Sequence, residues 1–432
     1  MNQFTSILYD QKEEIEQYNV AGLCPRKEES LLNLNSKLAQ IVIGVRRSGK
    51  STLCQKVLKA SGVKFAYVNF DDERLANITT SDLNLILQEL YEVYGNFTHL
   101  FLDEVQNVEA WPLFVNRLLR QNHRLILTGS NANLLSSELV THMTGRYNEI
   151  HLYPFSFSEY CTYHQVDTKS LSTKAEGLRS HALNGYLLEG GFPELMQDKS
   201  LNPQTYVQSL LRAIVEKDIC KRYKVRYKHT IYQLANHLLD MFCQERSFNA
   251  IAKDLQVKTV HTIKNYISYL DNAYLLRPIN KFSFKSSERN LARKCYTVDL
   301  AFIAERENTI QTENLGWRLE NIVAIELMRR LNKAGQELYY LKNGRNYEVD
   351  FAIVDRGHVT QLIQVTYDFT NPRKKLYNRE IGGLLKGAAA THCHNLTLVM
   401  MAGEEGDLIV DGLVIHRILA THWLLGRSER PL

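Results

Sequence analysis

Nowhere in this chain do two cysteines stand at CxxC spacing. The seven present (Cys24, Cys54, Cys161, Cys220, Cys243, Cys295 and Cys393) are scattered and odd in number. That argues against a disulfide framework and a zinc ribbon, and predicts free thiols in a reducing, cytoplasmic setting. His392, Cys393 and His394 are adjacent ligand types, but without a distant second pair they do not make a metal site. No apolar run opens the chain; Asp10, Glu13, Glu14 and Glu16 stand there instead, so no signal peptide is expected. A membrane-spanning run is missing too. The most apolar C-terminal stretch, Leu408 to Leu425, carries Asp411, His416, Arg417 and His422, and a central charge costs about 2.5–3.5 kcal/mol in a bilayer. It is expected to be a core strand followed by a helix. Net charge is small as well: 52 basic against 47 acidic residues leave +5, too little to imply nucleic acid by itself. At 432 residues the chain has room for two to four domains.

What is present is concentrated in one run, Gly44-Val45-Arg46-Arg47-Ser48-Gly49-Lys50-Ser51, followed by Thr52. It fits GxxxxGK[ST], and Ile41-Val42-Ile43 before it reads as a buried parallel strand. Ser51 to Ala60 reads as the helix that must follow. Glycines at both ends let the backbone curl until several N–H groups face one phosphate, and the helix N-terminus adds its dipole. Lys50 would reach the β- and γ-phosphates, and the Ser51 hydroxyl would complete a Mg²⁺ shell. A second strand is expected at Lys64–Phe70. A third, His99 to Glu104, ends in two carboxylates, Asp103 to support the metal and Glu104 to orient or deprotonate a water. A fourth, Arg124 to Thr128, leads into Gly129-Ser130-Asn131, where Ser130 or Asn131 is the candidate sensor of the γ-phosphate. Arg146 is a candidate for steadying charge on the transferring phosphoryl group, its own or a neighbour's; a plain surface arginine is the other reading.

The order of GVRRSGKST, YVNFDDERL, HLFLDEVQNVEAW, LILTGSNANLL, MTGRYNEIHLYPFSFSEY and GGFPE resembles the AAA-type P-loop ATPases of the archaeal-ATPase-like group. The resemblance covers nearly the whole chain. It implies ATP rather than GTP, a preference no base-reading motif such as NKxD states here. It also implies an α/β P-loop core, a helical lid, a winged-helix-like segment and a C-terminal domain, with ring-like self-association by analogy.

On that frame the chain divides into a core at 1–165, a lid at 166–228, a winged-helix-like segment at 229–290 and an α/β domain at 291–432. Lys217, Lys221, Arg222, Lys224, Arg226 and Lys228, interleaved with Tyr223 and Tyr227, end the helix expected over Ser209–Tyr223. Cations with aromatics suit a nucleic-acid backbone; a solvated face pairing with Glu216 and Asp218 is the equal alternative. Phe248, Ile251, Ala252 and Leu255, then Ile263, Tyr266, Ile267 and Leu270, follow helical spacing as a helix-turn-helix pair. The outward face of the second helix would show Thr259, His261, Thr262, Lys264 and Asn265 to DNA, with a wing from Tyr274 to Phe284. One lysine is little, so backbone affinity is expected from Arg289, Arg293 and Lys294. Winged helices also dock proteins.

The C-terminal segment resembles the PD-(D/E)xK nuclease core, with Glu320, Asp350, Gln364 and Thr366 at the matching positions. Glu320 and Asp350 could hold Mg²⁺. Gln364 lends no charge and Thr366 cannot replace a lysine, so nuclease activity is not expected. The reading is an ATP-hydrolysing, Mg²⁺-dependent AAA-type ATPase acting on DNA, and no membrane. The alternative is a nucleotide-dependent switch that binds a protein partner.

Overall fold

The computed structural model describes residues 4–130, 143, 145–283, 292–304, 315–331 and 335–427. Asn131, Arg289 and Thr144 lie outside them. The described chain falls into two compact units, residues 1–154 with 272–274, and residues 155–271 with 275–432. No described helix is long and apolar enough to cross a membrane.

The first unit is built on five short strands: β1 (Ala39–Ile43), β2 (Phe65–Asn69), β3 (His99–Asp103), β4 (Arg124–Gly129) and β5 (Tyr147–His151). Their order is β2-β3-β4-β1-β5, and every pairing is parallel. β1 and β3 are buried along their whole length, as continuous apolar runs in a sheet covered on both faces must be. Helix α1 (Lys50–Ser61) packs Leu53, Cys54 and Leu58 into that core beside Val42, Phe101 and Ile126. The sequence-expected strands fall within a residue or two of these bounds. Parallel registry places Ile43 beside Gly129 and Asn69 beside Asp103, so all four strands end along one edge.

The second unit opens with helices, including Thr173–Glu189 and Pro203–Ala213. The helix expected over Ser209–Tyr223 changes geometry after Ala213. Residues Ile214–Lys221 are π-helical, a widened turn of a kind often found at functional sites. The helix-turn-helix pair forms as α2 (Phe248–Asp254) and α3 (Val260–Asn272). Ser247 caps α2 by accepting from Ala250 N, and Phe248, Ile251, Ile263, Tyr266, Ile267 and Leu270 are buried between the two helices and their support.

The wing expected over Tyr274–Phe284 supplies the first strand of an antiparallel pair, whose second strand lies beyond residue 290. β7 (Leu276–Lys281) pairs with β8 (Ala292–Thr297), which pairs with β6 (Glu245–Ser247). β7 also pairs in parallel with β9 (Gln336–Asn343). Beyond it lie β10 (Tyr347–Asp355), β11 (His358–Asp368), β12 (Leu396–Ala402), β13 (Gly406–Val410) and β14 (Leu413–Leu419). Together they make one nine-stranded sheet, β13-β14-β12-β11-β10-β9-β7-β8-β6. The line drawn at residue 290 therefore runs between two strands hydrogen-bonded to each other. α4 (Leu315–Arg330) and α5 (Lys374–Thr391) pack on this sheet. The stretch Leu408–Leu425, read as strand then helix, is a two-stranded hairpin before a short helix, because Asp411-Gly412 turns the chain.

Candidate functional site

The loop between β1 and α1 is shaped by its glycines. A Cβ on Gly44 would sit 2.0 Å from the Leu152 carbonyl oxygen, so only glycine fits there. Gly49 caps α1 at φ 93°, a conformation cheap only for glycine. Val45 is buried in the core and Ser48 is buried within the loop, so these residues offer a ligand their backbone. Arg46 donates to Asp71 Oδ2 at 3.3 Å, and Thr52 Oγ1 lies 3.4 Å from Tyr18 OH. Arg47 holds a left-handed φ of 69°. The first N–H groups of α1, at Lys50 and Ser51, have no intrahelical acceptor and point back into the loop.

Side chains converge on this loop from three strand tips. Lys50 Nζ donates to Gly44 O and Val45 O, both at 3.1 Å, and lies 3.8 Å from Glu104 Oε1. Ser51 Oγ donates to Asp103 Oδ1 at 2.8 Å. Thr128, at the end of β4, donates to the same Asp103 oxygen and accepts from Glu104 N at 3.0 Å. Tyr67 OH donates to Asp103 Oδ2 at 3.2 Å. Glu104 itself takes a left-handed φ of 50°, a strained state for a non-glycine residue. That turn carries its carboxylate off the strand, where Gln106 donates to it and also reaches Ser130 Oγ at 3.4 Å.

Sequence reasoning found Gly44, Gly49, Lys50, Ser51, Asp103, Glu104 and Ser130, and the structure brings the last five together at one edge. It missed Tyr67, Thr128, Gln106 and Arg26. Arg26 is buried and donates to Ser48 O at 3.1 Å and Tyr153 O at 2.6 Å, bracing the loop from behind. Thr128 had a signal, the one hydroxyl in an apolar strand. Arg26 had none.

Arg146 is not part of this cluster. Parallel registry sets Tyr147 beside Ala39, at the start of β1, and Ala39 N donates to Arg146 O. The loop follows the other end of β1, about 16 Å away at 3.3 Å per residue. Arg146 is exposed, with Asn116 Oδ1 at 3.4 Å. It cannot serve the nucleotide bound by its own chain.

Asp103 is fully enclosed. Burial first, and the Glu104 charge second, push its pKa up from 3.8 to about 6. The donor set nonetheless fits a hard divalent ion beside a triphosphate: a hydroxyl and a carboxylate oxygen already 2.8 Å apart, with an ammonium alongside. A metal needs Asp103 ionised. Affinity for magnesium-bound nucleotide is therefore expected to hold from pH 8 to 6.5 and then drop, by about tenfold per pH unit below about 6. The nucleotide-free fold responds oppositely. Its Asp103 contribution is largest when protonated and declines as pH rises from about 4 to 6. Nucleotide titrations at stepped pH check this; a flat profile down to pH 5 would remove Asp103 from the metal site.

In the second unit, Thr259, just before α3, and His261 and Lys264 on it are exposed, with Thr262 and Asn265 half-buried. They contact one another, Thr259 with Thr262 at 2.7 Å and Asn265 with His261 at 3.2 Å. Tyr223 stacks on Tyr269 of α3, ring centroids 3.9 Å apart, which carries the basic segment 217–228 to the side of that helix. Lys264 and Arg293 both lie over the Phe248 ring, at 5.1 and 5.5 Å. Lys294, expected to help at a DNA backbone, is buried instead. Strand alternation turns it to the other face of β8 from Arg293.

That other face is a cavity of about 800 Å³ lined by Glu320, Glu348, Asp350, Gln364 and Thr366 among others. Lys294 Nζ lies 3.1 Å from Glu320 Oε1, 2.8 Å from Glu348 Oε1 and 3.5 Å from Asp350 Oδ1. Gln364 accepts from Asp350 N and donates to Glu380, at 3.2 and 2.6 Å. The three nuclease-like positions do converge, but around an ammonium that sequence reasoning had assigned elsewhere. Among the described residues no group of three or more His, Cys, Asp and Glu side chains is arranged as a metal site, and the Glu320 and Asp350 carboxylates, expected to be able to hold Mg²⁺, both face the Lys294 ammonium.

Residues 36–161 match the AAA domain family, and residues 180–311 match a domain of unknown function. An uncharacterized protein of Methanocaldococcus jannaschii is 34% identical over 384 residues, 85% of this chain and 82% of the relative. One from Haemophilus influenzae is 32% identical over 310 residues, 67% of this chain and 74% of that protein. A Walker-type ATPase of Pyrococcus abyssi is similar in structure at 16% identity and a TM-score of 0.41, covering 65% of this chain and 95% of that one. From the loop geometry, the AAA-domain match and a relative similar across most of both lengths, the chain belongs to the AAA-type P-loop ATPases.

Proposed function

We propose that the chain binds ATP with Mg²⁺ at the loop 44–52, hydrolyses it, and uses the second unit to engage DNA. The observation that carries the hydrolytic part is the Ser51–Asp103 hydrogen bond of 2.8 Å with Lys50 and Glu104 beside it. Two metal-ligand types from elements far apart in sequence meet at a helix N-terminus, which favours an anion. Bound Mg²⁺ would supply charge neutralisation of the β- and γ-phosphates. Lys50 holds the phosphates through its ammonium. Glu104, turned off its strand, orients water and accepts its proton, and Ser130 with Gln106 fixes that carboxylate. Arg146, away from this site, either serves a neighbour's nucleotide, which goes with self-association, or is a plain surface arginine.

DNA is supported by the stacked pair Tyr223–Tyr269, which brings Tyr223, within the run of Lys217, Lys221, Arg222, Lys224, Arg226 and Lys228, against α3. The cations that helix lacks come from this neighbouring segment. The rival, a switch that docks a protein partner, draws on one feature: the polar groups of α3 already pair with each other. ATP turnover measured with duplex, forked and single-stranded DNA separates them. DNA should stimulate turnover several-fold. Binding should weaken with salt at a log–log slope of about −5, for six neutralised phosphates. Indifference to all three DNAs, with a shallow salt slope, favours the protein-docking switch.

A further inference from the structure

We propose that Lys294 is the resident cation of the carboxylate cavity in the second unit, holding the place a divalent metal would need. On this view the cavity takes metal only when that ammonium is removed. The inference does not depend on ATP binding or on DNA.

Three carboxylates from two elements share one ammonium. Glu320 comes from α4; Glu348 and Asp350, two residues apart, share a face of β10. The lysine arrives from β8, across β7 and β9 in the same sheet. Its Nζ sits within 2.8–3.5 Å of all three acids. The protein also engages the same Glu320 oxygen and the second oxygens of Asp350 and Glu348. Tyr296 OH donates to Glu320 Oε1 at 2.8 Å, Val365 N to Asp350 Oδ2 at 3.0 Å, and Lys342 Nζ lies 2.9 Å from Glu348 Oε2.

A divalent ion bound to Glu320 and Asp350 at about 2.0–2.6 Å would have to sit against this ammonium. Two cations in contact, between carboxylates that are themselves buried, repel strongly. The lysine, tethered and pre-positioned, excludes the ion. Charge in the cavity is thus settled by a residue from the wing, where a nuclease-like site would take a metal and a lysine from its own strand. Thr366, on that strand, is buried in the same cavity. The magnesium requirement of the whole protein then rests with the P-loop alone.

Mn²⁺ binding to the nucleotide-free full chain, followed by electron paramagnetic resonance, tests this. Wild type and Glu320→Gln should bind the same number of ions. Lys294→Ala should gain one, with sub-millimolar affinity, and Lys294→Ala/Glu320→Gln should lose it again. Mn²⁺ should raise the melting temperature of Lys294→Ala by several degrees more than that of wild type. The proposal is overturned if wild type holds an ion that Glu320→Gln removes, or if folded Lys294→Ala gains none. Should Lys294→Ala not fold, the comparison of wild type with Glu320→Gln still decides.

Discussion

A Glu104→Gln protein is expected to bind magnesium-ATP within about threefold of wild type while its turnover falls by about 10³-fold, within the range for loss of a positioned general base. The amide keeps the shape and the hydrogen bond to Gln106, but it cannot accept a proton from water. Two features make this position sensitive. Its left-handed backbone, at φ 50°, aims the side chain off the end of β3. Its Oε1 lies 3.8 Å from Lys50 Nζ, so the carboxylate faces the place where phosphates would lie. A secondary effect should accompany the loss. Because the Glu104 charge helps raise the Asp103 pKa, the neutral amide should move the acid limit of nucleotide binding to lower pH. Single-turnover hydrolysis and equilibrium binding, both against pH, read the two effects separately. Turnover within tenfold of wild type would assign the base elsewhere.

Much of the first unit is legible because its chemistry is local in sequence. The loop needs glycine at 44 and 49, a lysine and a hydroxyl in fixed order, and an apolar strand before them. Asp103 and Glu104 declare themselves by ending an apolar strand. What sequence cannot show is which strand lies next to which. The order β3-β4-β1 puts Thr128 between the loop and the acids, and only that order gives its hydroxyl two partners. The distance of Arg146 from the loop of its own chain is hidden for the same reason. Its place beside the start of β1 is a matter of registry, and registry is set by side chains packed across the sheet.

In the second unit the elements were legible from helical spacing and alternation, but their sharing was not. Nothing local in Leu276–Lys281 announces that it pairs with β8 on one side and β9 on the other. The consequence falls on Arg293 and Lys294, neighbours that read alike as surface cations. One lies over Phe248 near the helix-turn-helix; the other is buried among acids. The GGFPE run hides a comparable role. Asp299 accepts from Gly191 N at 2.8 Å and Ala301 N at 2.9 Å, and a Cβ on Gly190 would fall 2.1 Å from its Oδ1. Those glycines make room for a buried carboxylate a hundred residues away, which no motif spacing reveals.

Lys50→Met should weaken ATP binding by 100-fold or more, about 2.8 kcal/mol, and leave the fold nearly as stable as wild type. Lys50 is buried and its Nζ donates to two loop carbonyls, Gly44 O and Val45 O. Without phosphate, then, it already sits in the curl of the loop. On binding, the ammonium exchanges part of this bonding to neutral carbonyls for an ion pair with a multiply charged anion. Methionine fills the same space, so packing around β1 and α1 survives. The two carbonyls lose a donor at the mouth of the loop. Isothermal binding and thermal melting together check the claim. A melting temperature lowered by more than about 8 °C would assign Lys50 a structural role as well. Unchanged ATP affinity in a folded Lys50→Met protein would remove the phosphate-binding role of the loop, and the hydrolytic function with it.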